Sequence, residues 1–451
     1  MGFIRPFALL GTLAGLALGQ DCPILGPTYP EVLNPSSSTV FAAAKASFDD
    51  EITKALASGQ LDNGTAFSIQ VFSRNSDKLL FERHHGSSVG PDTLYRIGSI
   101  SKVMTVYTTL AELGDKYWTE PVTKYVPELA RLKVRDPVYD TDWSEVTLGA
   151  LASYLSGIAR DYALGDIAPY LPPGIPGIPA LNATEQIQCG TSGLRACTRA
   201  ESLTKIAHTY PISPTHHTPA YSNMAFQLLA YAVEQITHKK FPTLVNTRLL
   251  TPLNLTHTFL TKPSNPSNAL VLDGWDLDFG EESPAGGYYS TPADLTVLAR
   301  SILRSTLLPP ALTRSWLQPL SHTANMALSL GRPWEIPRLT LTPGAAPVDV
   351  YTKQGAVGAY LALLALSPAQ GVGYTMLTAG GKSPATYAWL QEKVDAIFLG
   401  AAEAAAREEA GRRFAGNYTV EAGAEGTAAA VEVPILRKTF MRSDGKGKCK
   451  L

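Results

Sequence analysis

Ser99 and Lys102 stand three residues apart in the stretch RIGSISKVMT, residues 96–105. They open a predicted helix over 99–113 that Gly114 closes. At i, i+3 on a helix the two side chains share one face. The first turn of a helix favours acidic residues, and a capping serine is best followed three residues on by Glu or Gln. Lysine in that place breaks the local rule, and such breaks gather at functional sites. A buried lysine near other cations gives up its proton more readily and can act as a base. A serine at a helix start also has backbone N–H groups aimed at developing negative charge. The pair therefore suits acyl transfer through a serine nucleophile.

S-x-x-K alone is a weak signal, because it recurs at Ser202–Lys205 and Ser443–Lys446. Two further elements follow Ser99 in order. Tyr221-Ser222-Asn223 is the one Y-x-N of the chain, just before an apolar helical stretch. Read alone, it is equally an N-cap at Ser222 or Asn223 beside a core tyrosine. Lys353-Gln354-Gly355 is the one K-x-G, on a predicted strand. A glycine there marks close approach of a ligand to the backbone, while the lysine alone is also ordinary edge-strand protection.

Taken together, these three elements resemble the set S-x-x-K, Y-x-N and K-T-G of the serine β-lactamase and penicillin-binding-protein superfamily. The Y-x-N form is similar to the class C enzymes and their esterase and peptidase relatives. VTLGALASYLSGI (146–158) and PAGGYYSTPADL (284–295) resemble two more segments of that family. Tyr154 stands where the first of these usually has His. The opening QDCP resembles secreted fungal β-lactamase-like proteins. The resemblance covers about residues 40 to 410 and implies Ser99 as the acylated serine, with Lys102 hydrogen-bonded to it. It implies Tyr221 as the proton relay and Asn223 as the amide that positions substrate. Lys353 and Gly355 fill the third motif, and the amides of Ser99 and Ala356 form the oxyanion hole. Gln354 replaces the threonine that helps hold a β-lactam carboxylate, which argues against efficient antibiotic hydrolysis.

The elements that must position these residues are legible as α+β organisation. A helix is expected at 40–58 and a hairpin from TAFSIQVF and LLFER. Residues 115–340 are helical in bias, with a long Pro- and Gly-rich loop at 160–200 read as a lid. Strands follow at 348–355, AYLALLALS and GVGYTMLTA, then a helix of about 25 residues from Pro384. This gives an antiparallel sheet flanked by helices with a large helical insertion. The expected organisation is a signal segment at 1–19, one domain at 20–411, and an extension at 412–451. By the resemblance, that extension is the incomplete start of a further β-rich domain.

The chain has 451 residues, 45% apolar and 17% charged, with net charge −1. That is globular composition without the basic footprint of nucleic-acid binding. The N-terminus MGFIRPFALLGTLAGLALGQDC reads as a secretory signal cleaved after Gly19, too short to span a bilayer. No membrane association is expected after its removal. Cys189 and Cys197, in a Gly- and Pro-rich loop, are expected to form a disulfide. The pairing of Cys22 and Cys449 stays open. Sequons at Asn63, Asn182, Asn254 and Asn417 suit surface glycans on an exported chain.

No metal cluster or cofactor motif is present. GSSVG at 86–90 matches a nucleophile-elbow pattern, but Pro91 and Asp92 follow where a helix is required, so Ser88 is set aside. His84 and His85 are read as exposed loop residues, and Trp275, Tyr288 and Tyr289 as core. Three functions fit: a secreted serine hydrolase acting on a small-molecule ester or amide, an acyltransferase using the same site, or a non-catalytic binding protein that keeps the fold.

Overall fold

The computed structural model describes residues 29–414, apart from 137, 163–187, 191–193, 265 and 342–345. Beyond 414 it describes four short strands at backbone level. In chain order, α1 is Thr39–Ala57, β1 Ala66–Ser73, β2 Phe81–His85, α2 Ser101–Leu113, α3 Met224–Thr237 and α4 Pro292–Leu303. Then come β3 Ser321–His322, β4 Leu328–Leu330, β5 Glu335–Leu339, β6 Tyr351–Val357, β7 Tyr360–Ser367 and β8 Val372–Ala379. The domain closes with α5 Ser383–Val394 and α6 Gly400–Phe414, joined by a π-helical turn at Asp395–Leu399.

The strands form one antiparallel sheet in the order β2-β1-β8-β7-β6-β5-β4-β3, with Val348–Asp349 paired to β5. Strand β1 from the start of the chain lies beside β8 from its end, with Ala66 opposite Ala379 and Val71 opposite Tyr374. Strands β7 and β8 are almost continuously apolar and buried. That pattern marks strands covered on both faces. Helices α1, α5 and α6 cover one face, while α4 and the helical insertion cover the other. The α+β expectation holds. One local expectation does not, because residues 321–339 contribute three strands to the sheet rather than more helix. Those strands are short edge elements, and two to five residues are too few to show a period.

Helix α2 is buried on all sides from Ser101 through Leu110. Its polar side chains are satisfied within the protein: Ser101 Oγ donates to Gly98 O and Thr105 Oγ1 to Pro284 O. A helix enclosed this way has a fixed position. It is preceded by a 3-10 turn, Gly98–Ile100, which carries Ser99. This turn packs backbone to backbone on β6. A Cβ on Gly355 would lie 2.0 Å from Ile97 O, and one on Gly98, which has φ +49°, would lie 2.5 Å from Ala356 N. Both positions therefore require glycine. Gly355→Val is expected to yield a protein that fails to fold or melts far lower, as overpacking against rigid backbone demands. Circular dichroism melting checks this, and a native-like melt would contradict the close approach.

Beyond the domain, Gly416–Thr419 and Ala430–Val433 form an antiparallel pair.

Candidate active site

Ser99 is the partly exposed residue in a run that is otherwise buried from Thr93 to Leu110. Its Oγ meets two groups, Lys102 Nζ at 3.1 Å and the Tyr221 hydroxyl at 2.5 Å. Lys102 is fully buried and also donates to Asn223 Oδ1 at 2.6 Å and to Ala285 O at 2.7 Å. Two of its N–H groups are thus committed to oxygens that can only accept. The third direction points at a hydroxyl, which can accept from an ammonium or donate to a neutral amine. Burial pushes the Lys102 amine below its ordinary range, and the charge of Lys353 adds to this, against an opposing pull from Tyr221.

Tyr221 precedes α3 and is held by the loop that follows Tyr154. Ala220 N donates to Tyr154 O, Asn223 N to Arg160 O, and Ser222 Oγ to Ala159 O. Ser222 Oγ also accepts from Ala225 N. Ser222 thus ties down the start of the helix, while the Tyr221 hydroxyl reaches Ser99 and the Asn223 amide reaches Lys102. The Tyr221 ring stacks on Tyr154 with centroids 5.3 Å apart and planes at 20°. Lys102 Nζ, Lys353 Nζ and the Arg160 guanidinium lie 4.8, 5.2 and 5.1 Å from the Tyr221 ring centroid. Burial alone would raise the Tyr221 phenol. The charges of Lys102 and Lys353, with hydrogen bonds from Lys102 and Ser99, outweigh it and hold the group below its ordinary value.

Lys353 is 1% exposed and pairs with Glu335 Oε1 at 2.5 Å. The other Glu335 oxygen accepts from Gln354 N at 3.3 Å. Gln354 and Ala356 are exposed on β6, and Gly355 between them abuts the Ser99 turn. The residues singled out at Ser99, Lys102, Tyr221, Asn223, Lys353, Gly355 and Ala356 thus meet at one place. Sequence reading missed Glu335, Asp161, Glu282 and the Ala285 carbonyl. No local pattern marks these groups, since tertiary packing alone brings them in.

Tyr154 is 2% exposed, adopts φ +65°, and donates to Pro333 O at 2.6 Å. A bulky residue in the left-handed region is strained. The large ring there forms the platform under Tyr221. Tyr154→Phe is expected to keep that platform and cost about 1 kcal/mol through the unpaired carbonyl, read by denaturant titration. A loss of several times that would assign the hydroxyl a larger role.

Cys189 and Cys197 are bonded to each other. Non-reducing peptide maps should recover them in one cross-linked peptide. Asn63 and Asn254 are exposed. Asn182 and most of the loop read as a lid lie outside the described residues, as does Cys22. Of Asn417 and Cys449 only the backbone is described. Ser88 is exposed with φ +60° and no helix follows it. His84 and His85 correct their sequence reading. They lie on β2 and are partly buried, and His84 contacts Ser68 Oγ and Glu82 Oε1. Trp275, Tyr288 and Tyr289 are core.

The family profile described as Beta-lactamase matches residues 54–395, which contain every residue of this cluster. The chain belongs to the β-lactamase family. It is 31% identical over 399 residues to a β-lactamase-like protein of Arthroderma benhamiae, covering 83% of this chain and 65% of that one. It is 26% identical to a probable hydrolase of a Phoma species, covering 89% of this chain and 68% of the relative. The chain thus spans about two thirds of the length of these fungal β-lactamase-like relatives. Among solved structures, a D-stereospecific amidohydrolase from Streptomyces superposes with a TM-score of 0.57 at 21% identity, covering 76% of this chain and 96% of that one. A β-lactamase/D-alanine carboxypeptidase from Yersinia pestis gives 0.56 at 19%, covering 81% and 97%. These two establish the β-lactamase fold.

Proposed function

We propose that this chain is a serine hydrolase that cleaves a small-molecule ester or amide through an acyl-enzyme on Ser99. The observation that carries the reading is the convergence of Tyr221 and Lys102 on one partly exposed serine oxygen. In this mechanism the Tyr221 phenolate takes the Ser99 proton as Oγ bonds to the substrate carbonyl carbon. The carbonyl oxygen, now negative, is received by the amides of Ser99 and Ala356. The tetrahedral intermediate collapses, the bond to the alcohol or amine breaks, and Tyr221 returns the proton to that leaving group. A water repeats the sequence in reverse and frees the acid. Lys102 and Lys353 keep the phenolate populated, and Asn223 positions substrate. Gln354 in the threonine position makes a β-lactam a poor substrate.

Export is part of the proposal. The N-terminal signal segment motivates it, and a disulfide between Cys189 and Cys197 suits an oxidising compartment. N-terminal sequencing of the exported protein should begin at Gln20.

The deciding experiment is intact mass after incubation with a fluorophosphonate, a β-lactam and a p-nitrophenyl ester. The expected result is an adduct on Ser99 from the fluorophosphonate and turnover of the ester. Adding a small alcohol then reads whether water or alcohol takes the acyl group. No adduct from any of the three on folded protein would overturn the proposal in favour of a binding protein.

A further inference from the structure

Asn223 is held at both ends of its amide. Its Oδ1 accepts from Lys102 at 2.6 Å and its Nδ2 donates to Asp161 Oδ1 at 2.7 Å. An amide turned end for end has almost the same shape, but it would aim N–H groups at the lysine. Asp161 prevents this by presenting an acceptor. Beside Asp161 lies Glu282, 3% exposed, whose Oε1 has no hydrogen-bond partner among the described residues. Glu282 ends the 3-10 turn Gly280–Glu282, directly before the short helix Ser283–Gly286 whose Ala285 carbonyl holds Lys102.

Two carboxyls in contact away from water do not both ionise. Burial, then the charge of Asp161 and a hydrogen bond with it, drive the Glu282 carboxyl well above the usual range. The other groups facing the pair are Lys102 from α2, Arg160 with Nε 3.2 Å from Asp161 Oδ2, and the Tyr162 phenol on the same loop. Tyr231 of α3 faces the neighbouring Glu281.

We propose that Asp161 and Glu282 are a positioning pair holding one shared proton, which fixes the Asn223 amide and through it aims Lys102 at Ser99. The proposal rests on the reading of Ser99 as nucleophile. With one proton the pair carries a single negative charge. An amide at either position reproduces that charge and still supplies a hydrogen between the two groups. Asp161→Asn and Glu282→Gln should therefore keep their function, whereas Asp161→Ala frees the Asn223 amide.

The test is the rate of fluorophosphonate labelling of Ser99 in the full chain, with melting temperature against pH. Asp161→Ala should label about tenfold or more slowly, as loss of alignment implies, while both amide variants stay close to the unsubstituted protein. If Asp161→Ala does not fold, a large rate loss in either amide variant overturns the proposal. Labelling of folded Asp161→Ala at the full rate also overturns it.

Melting reads the proton independently of Ser99. A carboxyl raised in the folded state holds its proton where the unfolded chain has released it, so it costs stability as pH rises from the ordinary carboxylate range. The unsubstituted protein should therefore melt progressively lower relative to Glu282→Gln as pH rises above the ordinary carboxylate range. A constant difference would sink the shared proton. If Ser99 of the unsubstituted protein never labels, the acyl-enzyme reading fails, and melting still decides whether the pair holds a proton.

Discussion

Ser99→Ala gives a folded protein that takes no covalent label and turns over no ester. Among the described residues, the serine oxygen hydrogen-bonds Lys102 and Tyr221. Lys102 keeps Asn223 Oδ1 and Ala285 O when that oxygen is gone. The turn that carries Ser99 is set by Gly98 and Gly355, which the substitution leaves alone. Stability should therefore change by no more than about 1–3 kcal/mol, the net value of two hydrogen bonds. Removal of a nucleophile acting within a concerted set costs on the order of 10⁶ in turnover. Intact mass and ester hydrolysis, read beside a melting curve, separate the two effects. Turnover that survives in the folded variant would end the assignment of Ser99.

The second large effect belongs to the Tyr221 hydroxyl. Tyr221→Phe keeps the ring on the Tyr154 platform and removes only the atom 2.5 Å from Ser99 Oγ. Loss of an acid–base group costs about 10²–10⁴-fold. Lys102→Ala should act through the same atom. It removes a positive charge that holds the Tyr221 phenol low and leaves two buried oxygens without their donor. The sign follows directly: without that charge the phenol titrates higher. The acidic limb of the rate profile should therefore move to higher pH in Lys102→Ala, along with the fall in rate. A profile measured across the range below the free tyrosine value of about 10 tests this. A Tyr221→Phe variant of full activity would transfer the role of base to Lys102, whose lowered amine also suits it.

The candidate site residues were legible because their side chains must sit at fixed backbone positions. Ser99 and Lys102 lie one turn apart, Tyr221 and Asn223 flank a helix cap, and Gly355 follows a strand lysine. The supporting groups left no such trace. Glu335 reaches Lys353 across a sheet pairing of 17 residues' separation, Thr352 to Glu335, and Asp161 meets Glu282 only through folding. Each is an ordinary surface-type residue in sequence, given meaning by burial. The central strands declared themselves by apolar runs, whereas β3 to β5 are too short and too mixed to do so. His84 looked like loop because HHGSS is polar, yet pairing to Ser68 in β1 places it in the sheet.

The neighbouring of β1 and β8 also sets when this protein becomes competent during synthesis. Ser99 and its helix leave the ribosome early, but the backbone of β6 against which the Ser99 turn rests is made some 250 residues later. Ala66 waits for Ala379. A nascent chain ending before β6 holds the serine without Lys353, without Gly355 and without the Ala356 amide. Contacts so distant in sequence form slowly, so until then the exposed edge of β1 is open to mispairing. Under the proposed mechanism, reactivity at Ser99 therefore requires β6 to β8 in place, and fragments that stop short of residue 379 should be inert toward acyl probes however much of their helical part has folded.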